Sequence, residues 1–304
     1  MFERILLPLD GSEQAEMALP YGEELGRRLG SELILFHVCG PEQQQYQRMH
    51  QMYLESLAET LARNMKKGRP KGREVKVTAK IETGSPSGNI CSLVQKDDIG
   101  LIVMTAVGAS GLKVAMLGSV ADHVCRTVPI PVLLIRPQGM NQAEGKKRLI
   151  NHILLTLDGS DLSKLALPVG EELAAKLKVR ITLFQMAHMI YPYYGGTSAI
   201  MGGMPMPVID YVQLSDVEEK RVRAEMIALE QELRKKGLTV THTVTSGTDA
   251  ANEIIEVGKK LGADLVVMST HGRSGLGRWV SGSVTEKILR HGETPLLLVQ
   301  ARAG

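Results

Sequence analysis

Leu265 to Val299 reads LVVMSTHGRSGLGRWVSGSVTEKILRHGETPLLLV, and the order of features in it decides the fold. Leu265 to Met268 is a short apolar run, the kind that makes a strand buried on both faces. Ser269 to Ser283 is rich in glycine and serine and carries Arg273 and Arg278. Val284 to Leu289 resumes an apolar pattern at helical spacing, and Pro295 opens a further apolar run. The stretch therefore reads strand, glycine-rich loop, helix, strand. Such a loop offers unpaired backbone N–H groups at the positive end of a helix dipole, which favours phosphate oxygens. Gly272, Gly275, Gly277 and Gly282 lack a Cβ, so backbone there can approach a ligand closely. A second reading stands beside this one. Ser283-Val284-Thr285-Glu286 fits a capping box, with Ser at the N-cap and Glu three residues later, and the loop would then serve only to start a helix. Neither the P-loop pattern nor the dinucleotide fingerprint is present in the stretch.

The opening of the chain shows that this segment closes a repeat. Arg4-Ile5-Leu6-Leu7-Pro8-Leu9-Asp10-Gly11-Ser12 reads as a buried strand ending in a turn, with Ser12 as N-cap of a helix running to about Leu29. Asn151-His152-Ile153-Leu154-Leu155-Thr156-Leu157-Asp158-Gly159-Ser160 repeats it. Ala18-Leu19-Pro20 is echoed by Ala166-Leu167-Pro168, and Gly22-Glu23-Glu24-Leu25 by Gly170-Glu171-Glu172-Leu173. In the first copy, Leu33–Val38, Val75–Ile81, Ile99–Thr105 and Val132–Ile135 read as strands, with helices near Gln43–Lys66, Ser87–Gln95 and Ser119–Arg126. In the second, the strands are Ile181–Ala187, Val240–Thr245, Leu265–Ser269 and Leu296–Val299, and the helices lie near Val217–Lys236, Ala250–Leu261 and Ser283–Arg290. Alternating β and α elements with buried strands imply an α/β fold of two tandem doubly wound parallel-sheet domains.

Bulk properties agree with this. At 304 residues the length suggests two domains. Pro137 to Lys147 has no periodicity and reads as a linker. The expected division is a first domain over 1–139, a linker over 140–148 and a second domain over 149–304, with an inserted Gly-, Pro-, Met- and Tyr-rich loop at about 190–213. Formal net charge is +3, from 36 basic and 33 acidic side chains, so no electrostatic footprint for nucleic acid is expected. No apolar run approaches the roughly 20 residues of a membrane span, and the first residues lack signal-peptide character. Cys39, Cys91 and Cys125 are scattered, which fits buried thiols in a reducing compartment. The expected location is cytoplasmic.

Two βα repeats that open with a strand ending in Asp-Gly-Ser and close with strand, Gly-rich loop, Gly-Ser helix and Pro-initiated strand resemble the universal stress protein family in its tandem form. The resemblance implies Rossmann-like domains paired through their last strands as an internal pseudo-dimer, and it leaves a homodimer of whole chains open. ATP-binding members carry G-x2-G-x9-G-[ST] after the fourth strand. The second copy reads Ser269-x2-Gly272-x9-Gly282-Ser283 and the first Thr105-x2-Gly108-x9-Gly118-Ser119, so the register holds and the first glycine is replaced in both. Val120 and Val284 follow along each helix. The family's nucleotide-contacting Asp at the end of the first strand falls on Asp10 and Asp158, and the position two before it on Pro8 and Thr156. The end of the second strand, whose backbone meets adenine, corresponds to Val38 and Met186. His271 and Arg273 complete the second loop, where the first copy has Val107 and Ala109. The second half thus keeps more of the pattern.

The cofactor implied is ATP, and an acidic group at the strand end suits either ribose hydroxyls or a bound Mg²⁺. The function implied is a stress-response protein whose adenine nucleotide tunes conformation or choice of a protein partner, which the sequence does not name. The alternatives are a nucleotide-free interaction module, because both first glycines are replaced, and a slow ATPase. No catalytic constellation is visible. Asp10 and Asp158 also have a plainer reading, since Asp-Gly-Ser is a turn and cap. His37, on an apolar strand, reads as a satisfied core residue, and His188, His242, His291 and the cysteines show no metal-ligand spacing.

Overall fold

The structure is a computed structural model that describes residues 1–66, 76–107, 117–136, 148–189, 211–270 and 283–300. The first half runs β1 (Arg4–Pro8), α1 (Glu13–Glu16), α2 (Leu19–Leu25), β2 (Glu32–Cys39), α3 (Gln47–Lys66), β3 (Val77–Thr83), α4 (Pro86–Lys96), β4 (Leu101–Thr105), α5 (Ser119–Thr127) and β5 (Val132–Ile135). The second repeats it with β6 (His152–Leu157), α6 (Asp161–Lys164), α7 (Ala166–Leu177), β7 (Arg180–His188), α8 (Tyr211–Lys235), β8 (Val240–Gly247), α9 (Ala250–Leu261), β9 (Leu265–Ser269), α10 (Ser283–His291) and β10 (Leu296–Val299). The linker at 140–148, apart from Arg148, and the inserted loop over 190–210 lie outside the described residues. The start of the expected strand at Val75 also lies outside them.

The single helix expected from Ser12 to Leu29 is broken in two and then widened. Pro20 lies in the first turn of α2 and has no N–H to carry a helix on from α1. A π-helical turn, Gly26–Gly30, follows α2. Likewise the helix expected from Gln43 begins as a 3₁₀ turn, Pro41–Tyr46, and becomes α-helical only at Gln47.

All ten strands form one sheet in the order β3-β2-β1-β4-β5-β10-β9-β6-β7-β8. Within each half the strands are parallel, and the two halves join where β5 and β10 pair antiparallel. Leu133 lies opposite Leu297, and these occupy equivalent positions in the two copies, so a pseudo-two-fold axis passes between them. All residues of both strands are buried. An apolar strand left at an edge would template association with other chains, and this pairing removes both such edges. The internal pseudo-dimer expected from the sequence is the observed architecture.

Polar contacts across the junction are reciprocal as well. Glu24, 6% exposed, accepts from the backbone N–H of Leu149 and of Ile150 (3.2 Å) at the start of the second half. Arg28 pairs with Glu24 and donates to the carbonyls of Ile150 (2.7 Å) and Leu177. In the other direction Glu172, the counterpart of Glu24, accepts from the Met1 nitrogen (3.0 Å) and from Lys176 (2.8 Å). Beyond the last strands, Arg136 donates to the carbonyl of Gly292 just past α10, while Gln300 donates to the carbonyls of Cys125 (3.0 Å) and Arg126 (2.6 Å) in the last turn of α5. Donors at helix C-termini meet otherwise unpaired carbonyls and the negative end of the dipole. Burial pushes the Arg136 guanidinium down to about 10.

The buried Glu24–Arg28 pair makes an asymmetric prediction. Glu24→Gln leaves Arg28 without its carboxylate in a largely buried setting and should cost about 3 kcal/mol in urea denaturation. Glu172→Gln, at a carboxylate 28% exposed, should cost less than about 1 kcal/mol. Equal losses would show that the two ends of the junction carry the same load.

Candidate functional site

From β1 the chain runs outward through β2 to β3 and then returns to lay β4 on the other side of β1. Ligands of open parallel sheets settle outside the carboxyl ends of the strands at such a reversal. A cleft of about 270 Å³ opens there. Its lining includes Pro8 and Asp10 after β1, Val38 on β2, Thr105 at the end of β4, and Gly118, Ser119 and Val120 at the start of α5. Phe36, Ile90 and Met104 add apolar surface, and Pro86 brings the start of α4 to the same cleft. Seven first-half residues picked out from the sequence thus converge on one place. Gly108 lies outside the described residues.

Asp10 is held by a local turn. Its Oδ1 accepts from the Ser12 backbone N–H (3.0 Å) and hydroxyl (2.5 Å), and Ser12 Oγ in turn accepts from the Ala15 N–H (3.1 Å) to cap α1. Gly11 makes this possible by adopting φ +84°, which side chains disfavour. The second copy reproduces the device: Asp158 Oδ1 accepts from Ser160 N–H (2.9 Å) and Oγ (2.6 Å), and Ser160 caps α6 at Ser163 (3.1 Å). The turn-and-cap reading of Asp-Gly-Ser therefore holds in both halves. In the first half it coexists with a place in the cleft, because the turn fixes the carboxylate at the strand's end.

The start of α5 is built differently. Its N-cap is Gly118, φ −62°, which makes no side-chain capping bond. Where Ser12 and Ser160 cover the first-turn N–H groups of their helices, α5 keeps its own uncovered by any cap side chain and places them in the cleft lining. Ser283 in the second half is likewise the first residue of α10, and Glu286 pairs with Arg290 (2.6 Å). The capping-box reading placed Ser283 ahead of the helix as its N-cap; Ser283 instead lies within α10. Thr105 and Ser269 occupy the first glycine positions of the loop pattern as the last residues of β4 and β9. Neither has positive φ. Loss of glycine there costs the backbone nothing.

In the second half Thr156, Met186 and Ser269 are buried at the carboxyl ends of β6, β7 and β9, with Asp158 following β6. Ser283 and the partly buried Val284 begin α10. His271, Gly272, Arg273 and Gly282 lie outside the described residues. No helix among the described residues is long and apolar enough to cross a membrane.

Residues 1–136 and 150–300 each match the Universal stress protein family. The chain is a tandem member of that family. It is thereby a stress-response protein. Universal stress protein YxiE of Bacillus subtilis is 26% identical over 157 residues, covering 50% of this chain and 100% of that protein. Universal stress protein MJ0531 of Methanocaldococcus jannaschii is 26% identical over 158 residues, covering 51% of this chain and 84% of that protein. A universal stress protein of Archaeoglobus fulgidus, known as a crystal structure, covers 99% of each chain at 19% identity with a TM-score of 0.68. One half of this chain accounts for a whole single-domain relative, and the tandem solved structure shares the complete fold.

Sequence reasoning missed Phe36, Ile90 and Met104 in the cleft, because an apolar side chain that lines a cleft has the same periodicity as one in the core. Ser85-Pro86 did carry a signal, a capping residue followed by proline at the first helical position.

The Asp-Gly-Ser turn is testable apart from any ligand. A Cβ on Gly11 meets nothing within 4 Å, so the cost of Gly11→Ala is conformational alone. It should lower stability by about 1–2 kcal/mol, read as a shifted denaturation midpoint. An unshifted midpoint would mean that the turn relaxes to a conformation open to any residue.

Proposed function

We propose that this universal stress protein binds ATP at the carboxyl edge of its first domain, and that the nucleotide tunes its conformation and choice of protein partner in the cytoplasm. The observation that carries the reading is the convergence of Pro8, Asp10, Val38, Thr105, Gly118, Ser119 and Val120 on one cleft at the reversal of strand order. The parts suit an adenine nucleotide. Phe36, Ile90 and Met104 offer apolar surface for a base. The Asp10 carboxylate suits ribose hydroxyls or a Mg²⁺ ion, and the start of α5 suits phosphate oxygens. A volume of about 270 Å³ is near the lower end of small-molecule clefts, roughly 300–1,000 Å³, which matches a nucleoside with its phosphates at the open side.

Binding rather than turnover is the favoured activity. Asp10 is the one carboxylate among the described lining residues, and its Oδ1 is already committed to the Ser12 turn. The second half carries Thr156, Asp158, Met186, Ser269, Ser283 and Val284 at the corresponding places, with His271, Gly272, Arg273 and Gly282 between Ser269 and Ser283 in the sequence, and forms a second site of the same kind in this reading.

Calorimetric titration of the whole chain with ATP tests the proposal. Asp10→Asn keeps an oxygen acceptor for the Ser12 turn but removes the charge, and should weaken the first site about 10- to 100-fold. Gly118→Val adds a branched side chain at the uncovered start of α5 and should remove that site with the thermal midpoint nearly unchanged, since φ −62° suits any residue. Repeating the titration with a chelator separates the two roles of Asp10: a ribose contact survives removal of Mg²⁺, and a metal-bridged contact does not. Absence of ATP binding by the unaltered chain would favour the nucleotide-free interaction module instead.

A further inference from the structure

His37 and Cys39 stand two residues apart on β2, on the face opposite Phe36 and Val38. That face carries Leu33 and Leu35 into the core shared with Leu54, Ala58, Leu61 and Met65 of α3. His50 lies one helical turn before Leu54 on α3, so it comes down over the end of the same strand. The result is a cluster that sequence spacing hides: one ligand atom each from His37, Cys39 and His50, all within 4.8 Å of one another. The two imidazole rings are stacked, with centroids 4.4 Å apart and planes inclined by 17°. His37 is therefore not the solitary core residue that its strand suggested.

The hydrogen bonding of His37 adds an independent observation. Its Nδ1 lies 2.8 Å from the Leu9 carbonyl oxygen. A carbonyl can only accept, so Nδ1 carries the proton and Nε2 presents its lone pair. Nε2 is buried in a side chain 3% exposed and has no hydrogen-bond partner among the described residues. A histidine that donates one ring N–H to a carbonyl and leaves the other nitrogen's lone pair unused has the tautomer that metal-ligating histidines take. Burial also lowers the His37 pKa, which keeps the ring neutral.

We propose that His37, Cys39 and His50 bind a thiophilic divalent transition-metal ion of the zinc class, independently of the nucleotide reading. Two imidazole nitrogens and a thiolate suit Zn²⁺ and disfavour Mg²⁺ and Ca²⁺, which take oxygen ligands. Tetrahedral zinc with bonds of about 2.0–2.3 Å holds its donor atoms about 3.3–3.7 Å apart. The donor atoms lie within 4.8 Å of one another, and parallel stacked rings cannot both aim a lone pair at one ion, so binding turns the partly exposed His50 ring, in the first turn of α3, out of the stack and draws its nitrogen inward by up to about 1.5 Å. Three protein ligands leave a fourth position for water. Binding converts the Cys39 thiol to thiolate and releases one proton to solvent, with no electron transferred.

The second half supplies a natural control. Gln185 and Ala187 stand on β7 where His37 and Cys39 stand on β2. Gln185 is buried with its amide also unpartnered, so the fold accepts an unpaired polar group at this register and does not depend on the metal. His37→Gln and Cys39→Ala each install the second half's own residue.

The test uses the untagged whole chain, stripped with a chelator and held reduced by a phosphine, titrated with Co²⁺ and then with Zn²⁺. The expected result is one Co²⁺ per chain at this site, visible tetrahedral bands with thiolate-to-cobalt charge transfer, and displacement by Zn²⁺. Cys39→Ala should abolish the charge-transfer band. His37→Gln and His50→Gln should each weaken Zn²⁺ binding by at least about 100-fold. Cys125→Ala should leave all of these unchanged. Should a core variant unfold by circular dichroism, His50→Gln, at the partly exposed position, decides alone. A chain without the charge-transfer band, or one that keeps it in Cys39→Ala, overturns the proposal.

Discussion

Val132–Ile135 and Leu296–Val299 are strands without a polar side chain, and neither half can leave its own at a free edge. Their antiparallel pairing makes one sheet of two domains and sets everything around it. Because strands are parallel within each half and antiparallel at the junction, the carboxyl edges of the two halves face opposite ends of the sheet. The first-domain cleft and its counterpart corner therefore open away from each other, and coupling between them has to pass through the shared core.

The junction also explains repeats that a turn or a core would not require. Gly22-Glu23-Glu24-Leu25 and Gly170-Glu171-Glu172-Leu173 recur because two constraints fall within each. A Cβ at Gly22 or Gly170 would run into Leu7 or Leu155, so the helix lies tight on its strand. The carboxylate two residues on then reaches the start of the other half, Glu24 to Leu149 and Ile150, and Glu172 to Met1. Arg136 and Gln300 obey the same symmetry with different chemistry, both ending on carbonyls at the close of the opposite helix. Duplication has kept the geometry of the contact while its residues diverged.

The cleft depends on two ways of starting a helix. After β1 and β6 a serine covers the helix start and an aspartate braces the serine, which makes a rigid turn. After the loop that follows β4 a glycine stands in that place, and the first-turn N–H groups of α5 are left without a cap side chain. The same strand β2 that contributes Phe36 and Val38 to the cleft turns His37 and Cys39 to its other face. Leu9 lies between the two, lining the cleft while its carbonyl holds His37.

Sequence by itself determined the tandem α/β organisation and the strand and helix succession, while the pairing through the last strands was expected only from the family resemblance. Burial on both faces, helical period and duplication all leave local marks that need no knowledge of distant contacts. The polar and glycine positions of the cleft came from the family resemblance, whose pattern could be laid on this chain because a strand end, a turn and a helix start leave local marks. Sequence did not place the breaks before Pro20 or at Tyr46, where helix type depends on how each segment meets its neighbours. Tertiary structure alone decided which apolar residues line the cleft and which fill the core, because the two share one periodicity. It alone brought His50 to His37 and Cys39, across a 3₁₀ turn whose path no spacing rule encodes. It alone gave Glu24 and Glu172 their tasks, because a charge on a helix reads as a solvated face until the other domain is laid against it.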